Sequence, residues 1–349
     1  MKNIVRTFIM TGIGVVLLVG CSRGGAKNPT VNQVENDRIQ IGLSFDSFVI
    51  ERWQRDRDIF VSTAKELGAD VNVQIASGDV NKQISQIEYF IDKNMDVIVI
   101  IPTDANLLKE SVLKAKQKGI KVIAYDRLIQ NSDVDLYISF DNEKVGTLMA
   151  QAIVENIPRQ GEIAFILGSE VDHNVMQVKK GLEDVINNTD IKVVSIDYAQ
   201  GWIAEEAFSA VNQVLKTKPY INGLVCGNDD LASQAIKALS EHRLAGSVYV
   251  VGQDADLNAC QRIVEGTQTM TVYKSIEQLA KKAAEYAVTL GKNEEILGRN
   301  KIFDGSYYVP YEKLEPVAVT KENMDEIIID GGFHLREEVY LNVLDPVEE

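Results

Sequence analysis

The chain alternates short, nearly uninterrupted apolar runs with longer segments in which apolar residues recur every three or four positions. Runs of the first kind cover Gln40–Phe45, Asp70–Ile75, Asp96–Pro102 and Lys121–Tyr125. Such runs predict strands buried on both faces, as in a parallel sheet. Between them, helical periodicity covers Glu51–Gly68, Lys82–Lys93 and Ala105–Lys118. A second series follows, with strands over Glu162–Leu167, Lys192–Asp197, Gly223–Gly227 and Ser247–Val251. Its helices cover Asn174–Ile186, Ala204–Thr217, Asp230–Glu241 and Leu257–Val264. Repeated βα units with short connections predict an α/β fold of two doubly wound, parallel-sheet domains. The seven prolines are scattered, so a hinge made of strand crossovers fits better than a flexible linker. After Lys274 the pattern returns to a helix, Ser275–Leu290, then a short apolar segment, Ser306–Val309. The tail beyond Gly332 is partly apolar (Tyr340-Leu341-Asn342-Val343-Leu344) and is expected to dock on a domain surface.

The apolar runs end abruptly on polar tips. Val122-Ile123-Ala124-Tyr125 ends on Asp126-Arg127, Leu224-Val225-Cys226-Gly227 on Asn228-Asp229, and Val248-Tyr249-Val250-Val251 on Gly252-Gln253-Asp254. In open parallel sheets, ligands bind in the crevice outside the carboxyl ends of the strands. The tips hold carboxylates, amides and guanidinium groups, an inventory for binding a neutral, hydroxyl-rich molecule rather than transforming it.

At 349 residues the chain suffices for two domains, each with its own core. Hydrophobic content of 45% and charged content of 25% are those of an ordinary globular protein. A net charge of −15 argues against a nucleic-acid partner. His173, His242 and His334 are too scattered for a metal site, and no cofactor fingerprint is present. The first residues read differently from the rest. Lys2 and Arg6 precede an apolar stretch, Thr7–Gly20, too short to span a membrane, which closes on Leu18-Val19-Gly20-Cys21. This pattern resembles a bacterial lipoprotein signal, which implies lipidation of Cys21 and an extracytoplasmic, membrane-anchored protein. Residues 22–37 then read as a flexible tether. Cys226 and Cys260 remain, as a pair or as two buried thiols.

Several segments are more specific. Glu51-Arg52-Trp53-Gln54-Arg55-Asp56-Arg57-Asp58-Ile59-Phe60 resembles the first helix of bacterial D-xylose-binding proteins. The same family is matched by Ala124-Tyr125-Asp126-Arg127, by Ile138-Ser139-Phe140-Asp141-Asn142-Glu143-Lys144-Val145-Gly146 and by Gly252-Gln253-Asp254-Ala255-Asp256-Leu257. Gly266-Thr267-Gln268-Thr269-Met270-Thr271-Val272-Tyr273-Lys274 extends the match. The resemblance runs from about Arg38 to His334, weakens over Leu290–Tyr311 and is absent after Leu335. It implies a type I, bilobal periplasmic binding fold with a hinge of several crossovers. The lobes are expected over 38–143 plus 275–304, and over 144–274 plus 305–349.

In that family a sugar lies between two aromatic rings, with polar groups from both domains around its rim. The resemblance implies a site of Arg52, Trp53, Asp126, Arg127, Asn174, Trp202, Asn228, Asp254 and Lys274. His173 departs from the family, whose chains are richer in amides there. The implied chemistry is coherent: aromatic rings cover a pyranose's apolar faces, and charged and amide groups serve its hydroxyls. Plainer roles compete for some residues. Trp53 shares a helical face with Phe60, Ala64 and Leu67 and fits a core equally well. Asp126 beside Arg127 fits a surface ion pair of little consequence. Asp230 and Asp256 read as helix caps, and Asn142 as structural.

The resemblance implies delivery of D-xylose, or a related monosaccharide, to a membrane importer; a membrane sensor histidine kinase is the alternative partner. A sugar-responsive repressor would need a basic helix-turn-helix where this chain has a signal. An enzyme would need an acid/base pair, a part for which Asp126 and Asp254 can be considered. Both are expected beside Arg or Lys, which keeps them ionised and unfit as general acids.

Overall fold

A computed structural model describes residues 38–296 and 300–343. Cys21, the tether 22–37 and Leu344 lie outside the described residues.

The first strands and helices alternate as the pattern predicts: β1 (Ile39–Phe45), α1 (Arg52–Glu66), β2 (Ala69–Ile75), α2 (Val80–Asp92), β3 (Val97–Ile100), α3 (Lys109–Gln117) and β4 (Lys121–Tyr125). β5 (Leu136–Phe140), outside the expected strands, follows with no helix between. The chain continues with α4 (Asn142–Asn156), β6 (Glu162–Leu167), α5 (His173–Ile186), β7 (Lys192–Tyr198), α6 (Glu205–Thr217), β8 (Gly223–Cys226), α7 (Asp229–Glu241), β9 (Tyr249–Gln253), α8 (Leu257–Glu265) and β10 (Met270–Tyr273). It ends with α9 (Ile276–Gly291), β11 (Asn300–Phe303), β12 (Tyr308–Leu314), β13 (Val317–Val319) and a short α10 (Arg336–Val339).

The strands form two sheets, ordered β11-β12-β5-β4-β3-β1-β2 and β13-β10-β9-β8-β6-β7. All pairings are parallel except β11 with β12 and β10 with β13. The chain passes between the sheets three times, at Asp141, at Lys274-Ser275 and between Leu314 and Val317. The expected assignment of residues 305–349 to the second lobe is corrected here. Tyr308–Leu314 pairs in register with β5, Tyr311 opposite Tyr137, so this stretch belongs to the first sheet. The reason is local: β5 needs a neighbour on its open edge, and Val309, Tyr311 and Leu314 bury their side chains there. From β13 onward the chain does lie on the second lobe. Val339 and Tyr340 pack with Cys260, Ile263 and Ile328, while Leu341 is exposed.

Strand burial explains the continuous apolar runs: Val97 to Ile100 and Leu136 to Phe140 are fully enclosed, with helices over both faces. In α1 the buried positions are Arg52, Trp53, Asp56, Phe60 and Ala64, a single stripe, whereas Leu67 is exposed. Helix starts are set by polar residues at strand tips. Asp79, Asp141, Asp172, Asn228 and Ser275 each accept a backbone N–H from the following first turn. Asp230 and Asp256 make no such cap; Asn228 has taken that role for α7. In the second lobe α4 and α5 touch backbone to backbone. A Cβ at Gly146 would fall 2.0 Å from the Val178 oxygen, and one at Gly181 1.9 Å from the Glu143 oxygen.

Candidate functional site

Most of the candidate side chains sit just beyond the carboxyl end of a strand. Arg52 and Trp53 open α1 after β1, and Asp126 and Arg127 end β4. In the second lobe Asn174 follows β6, Trp202 follows β7, Asn228 follows β8 and Asp254 follows β9. Lys274 stands on the crossover after β10. The tips are sharply turned. Asp126 (φ 61°), Trp202 (φ 61°) and Asp254 (φ 99°) all adopt positive φ, each at a cost of order 1–3 kcal/mol. Such strain persists only where surrounding bonds over-determine the geometry.

Eight of the nine candidates line one narrow cavity of about 20 Å³ between the lobes: Arg52, Trp53, Asp126, Arg127, Asn174, Trp202, Asp254 and Lys274. Asn228 does not. Its Oδ1 accepts the Leu231 N–H at 2.9 Å, and its buried Nδ2 has no partner among the described residues. Four residues join the wall that sequence reasoning did not place there: Ile50, Asn142, Asp172 and Gln253. Asn142, taken as structural, lines the cavity while its Nδ2 donates to Gln177 Oε1 at 3.1 Å. Asp172 and Gln253 each precede a residue of the predicted set or end a strand run. Proximity to a strand tip was the available signal.

The cations are held by carboxylates. Arg52 donates from Nε and Nη2 to both oxygens of Asp56, at 3.0 and 2.9 Å, and from Nη1 to Asp126 at 3.2 Å. Its Nη1 also lies 3.9 Å from Asp254 Oδ1. Lys274 Nζ pairs with that same Asp254 oxygen at 2.7 Å. Arg127 donates from Nη1 to Asp46 at 2.7 Å, and its Nε forms an ion pair with Asp172 at 2.7 Å. Asn174 Nδ2 donates to the Asp126 carbonyl at 2.9 Å. Asp126 and Arg127 are therefore not a surface pair. Both are buried, and each has its own partner.

The two indoles differ. Trp53 is 1% exposed, packs edge-on to Phe45, and carries the Arg52 and Arg127 guanidinium groups 4.5 and 5.5 Å from its ring. Core packing and site wall are one position here. Trp202 donates from Nε1 to Asp172 Oδ2 at 3.2 Å, and its ring lies against Gly168. A Cβ at Gly168 would fall 2.2 Å from the indole. His173 shares a bond with Gln130 across the lobes at 3.0 Å, and burial lowers its pKa.

Burial pushes Asp56 and Asp172 up from the usual carboxylate range, opposed chiefly by Arg52 and Arg127 respectively. Asp56 lies off the cavity wall and holds the Arg52 guanidinium, while Asp172 lies on the wall and is paired with Arg127. The arrangement can present donors, acceptors and two ring faces to a small polar molecule.

Two α/β lobes joined by three crossovers, with an aromatic and charged cavity where their strand ends meet, define a bilobal ligand-binding protein. The chain belongs to the periplasmic binding protein domain family, which matches residues 41–295, and it is a binding protein rather than an enzyme. It is 47% identical to the D-xylose-binding periplasmic protein of Haemophilus influenzae, covering 90% of this chain and 96% of that protein. Its identity to the Escherichia coli D-xylose-binding periplasmic protein is 45%, covering 86% and 92%. Among solved structures, an ABC transporter solute-binding protein from Clostridium phytofermentans with bound β-D-glucose superposes with a TM-score of 0.78. That protein is 28% identical, and the match covers 86% of this chain and 99% of that one.

Proposed function

We propose that this protein is a lipid-anchored, extracytoplasmic D-xylose-binding protein that hands sugar to an ABC-type importer by closing its cleft. One observation carries the reading. Two indoles and a rim of mixed donors and acceptors, drawn from both lobes, line a single cavity in a chain close to two D-xylose-binding proteins. The charge balance supports a neutral ligand. Asp46, Asp56, Asp126, Asp172 and Asp254 outnumber Arg52, Arg127 and Lys274, so an anion would be repelled. The sugar-binding role of the eight wall residues belongs to this proposal, and so does lipidation of Cys21.

The placement of the wall residues on both lobes supports closure. The ligand touches both lobes only when they meet, so it favours the closed form by its differential affinity for that form. Isothermal titration against D-xylose, D-ribose, L-arabinose and D-glucose tests the reading. D-Xylose should bind tightest, at roughly micromolar or better, equivalent to about −8 kcal/mol. No heat with D-xylose, or tighter binding of another sugar, would refute it. For the anchor, Cys21→Ser should abolish metabolic labelling with palmitate; labelling that persists would remove Cys21 from the proposal.

A further inference from the structure

Asp172 was not among the residues implicated by sequence, yet it holds three that were. Its Oδ1 accepts the Asn174 N–H at 2.9 Å and so caps α5. Its Oδ2 accepts from Trp202 Nε1 at 3.2 Å and forms an ion pair with Arg127, whose Nε lies 2.7 Å away. A carboxylate offers about four acceptor positions; two are taken by hydrogen-bond donors here, and the guanidinium supplies the counter-charge. The side chain is 3% exposed.

The partners lie on opposite sides of the cleft. Asp172, Asn174 and Trp202 belong to the second lobe, whereas Arg127 ends β4 of the first. Arg127 has an anchor on its own lobe: Nη1 donates to Asp46 at 2.7 Å and to the Pro102 carbonyl at 3.2 Å. Opening the cleft would leave that anchor intact and break only the bond to Asp172. A buried ion pair that exists in one conformation alone biases the equilibrium towards it.

We infer that Asp172 is the positioning residue that couples lobe closure to the order of the sugar site, joining Arg127 of one lobe to Trp202 and the Asn174 turn of the other. This rests on the sugar-binding reading above. In this role Asp172 acts through these three residues.

Asp172→Asn tests the inference. The amide oxygen can still cap α5, but its NH₂ would face the donors of Arg127 and Trp202. The dissociation constant for D-xylose should rise ten- to a hundredfold in calorimetry. Stopped-flow measurement should place most of that change in a faster dissociation rate, with association altered less than about threefold. Arg127→Lys keeps the charge but lacks the fork, and it should be non-additive with Asp172→Asn: the double variant should bind about as weakly as Arg127→Lys alone. Should Asp172→Asn fail to fold, Asp172→Ser keeps a capping oxygen and is read in the same way. Unchanged affinity in the single variant, or losses that multiply in the double, would overturn the inference. A parent protein that does not bind D-xylose would instead overturn the reading on which it rests.

Discussion

Replacing Asp254 by Asn probes the charge balance of the cleft most directly. Asp254 is buried, pairs with Lys274 at 2.7 Å, and lies 3.9 Å from Arg52. Its φ of 99° would strain alanine, but Asn tolerates positive φ and keeps the shape. The substitution leaves the buried Lys274 ammonium without its counter-charge. Breaking a buried pair on one side costs about 3–5 kcal/mol, and the lower end applies because the Asn side chain still presents an oxygen dipole beside Nζ. For a body of this size, about 3 kcal/mol lowers the melting temperature by roughly 5 °C. Sugar binding suffers separately, since a carboxylate acceptor for a hydroxyl is replaced by a neutral one. Loss of one charge-assisted bond is worth about 1.5–3 kcal/mol, roughly ten- to a hundredfold in affinity. Scanning calorimetry without sugar and titration with D-xylose read the two effects independently. Binding within threefold of the parent would remove Asp254 from the site. An unchanged melting temperature would refute the argument that the Lys274 pair holds the unliganded cleft.

Gly168→Ala should weaken D-xylose binding at least tenfold in calorimetry, because its Cβ would meet the Trp202 indole at 2.2 Å and force the ring to move. Overpacking of this kind costs about 1–3 kcal/mol. Asn228 gives the opposite pattern. Asn228→Ser, which can still cap α7, should leave thermal stability within about 0.5 kcal/mol, whereas Asn228→Ala should lose about 1 kcal/mol in denaturant unfolding. Stability should also fall as pH rises from about 5 to 7 and level off above 7. Burial pushes Asp229 up to about 7, opposed by Thr271 and Arg262, so the folded chain holds a proton that the unfolded chain releases near pH 4. That contribution is complete below about pH 4, falls as pH rises between the two values, and is gone above 7. His173 and His334, lowered by burial, act in the opposite sense below about 6.5, so the comparison with Asp229→Asn isolates the carboxyl. A melting temperature that is flat or rising across this window, or a fall unchanged by Asp229→Asn, would sink the assignment.

The alternation of strands and helices was legible because β1, β3 and β4 are enclosed on both faces, which forces continuous apolar runs. β5 was missed although it is equally enclosed, because Tyr137 and Ser139 break its apolar run. Other missed elements share their burial differently. β10 is four residues long and carries the polar Thr271, whose hydroxyl donates to buried Asp229 at 2.7 Å. β12 is interrupted by Pro310 and Lys313 because one edge pairs with the short β11 and the other with β5, so its pattern is that of a near-edge strand. The placement of 305–314 went astray for the same reason, since nothing in its residues names the sheet it joins.

The site was legible at the level of strand tips and not beyond, because tip residues divide between ligand-facing and helix-capping roles that look alike in sequence. Asn228 and Asp172 make the point together. Both follow a strand and cap the next helix. Asn228 spends its oxygen on Leu231 and stays off the cavity wall, while Asp172 has a second oxygen left after capping and uses it on Arg127 and Trp202. An amide has one acceptor atom and a carboxylate two, so a carboxylate cap can serve helix and cleft at once. The same economy governs the cations. Arg52 and Arg127 are each fixed from their own lobe, by Asp56 and Asp46, and each meets a second-lobe carboxylate, Asp254 and Asp172. On the proposed closure, the first contact of each kind orders a donor before the lobes meet, and the second forms only once they have. Part of the ordering entropy of binding would then be met by the fold, and the remainder tied to closure.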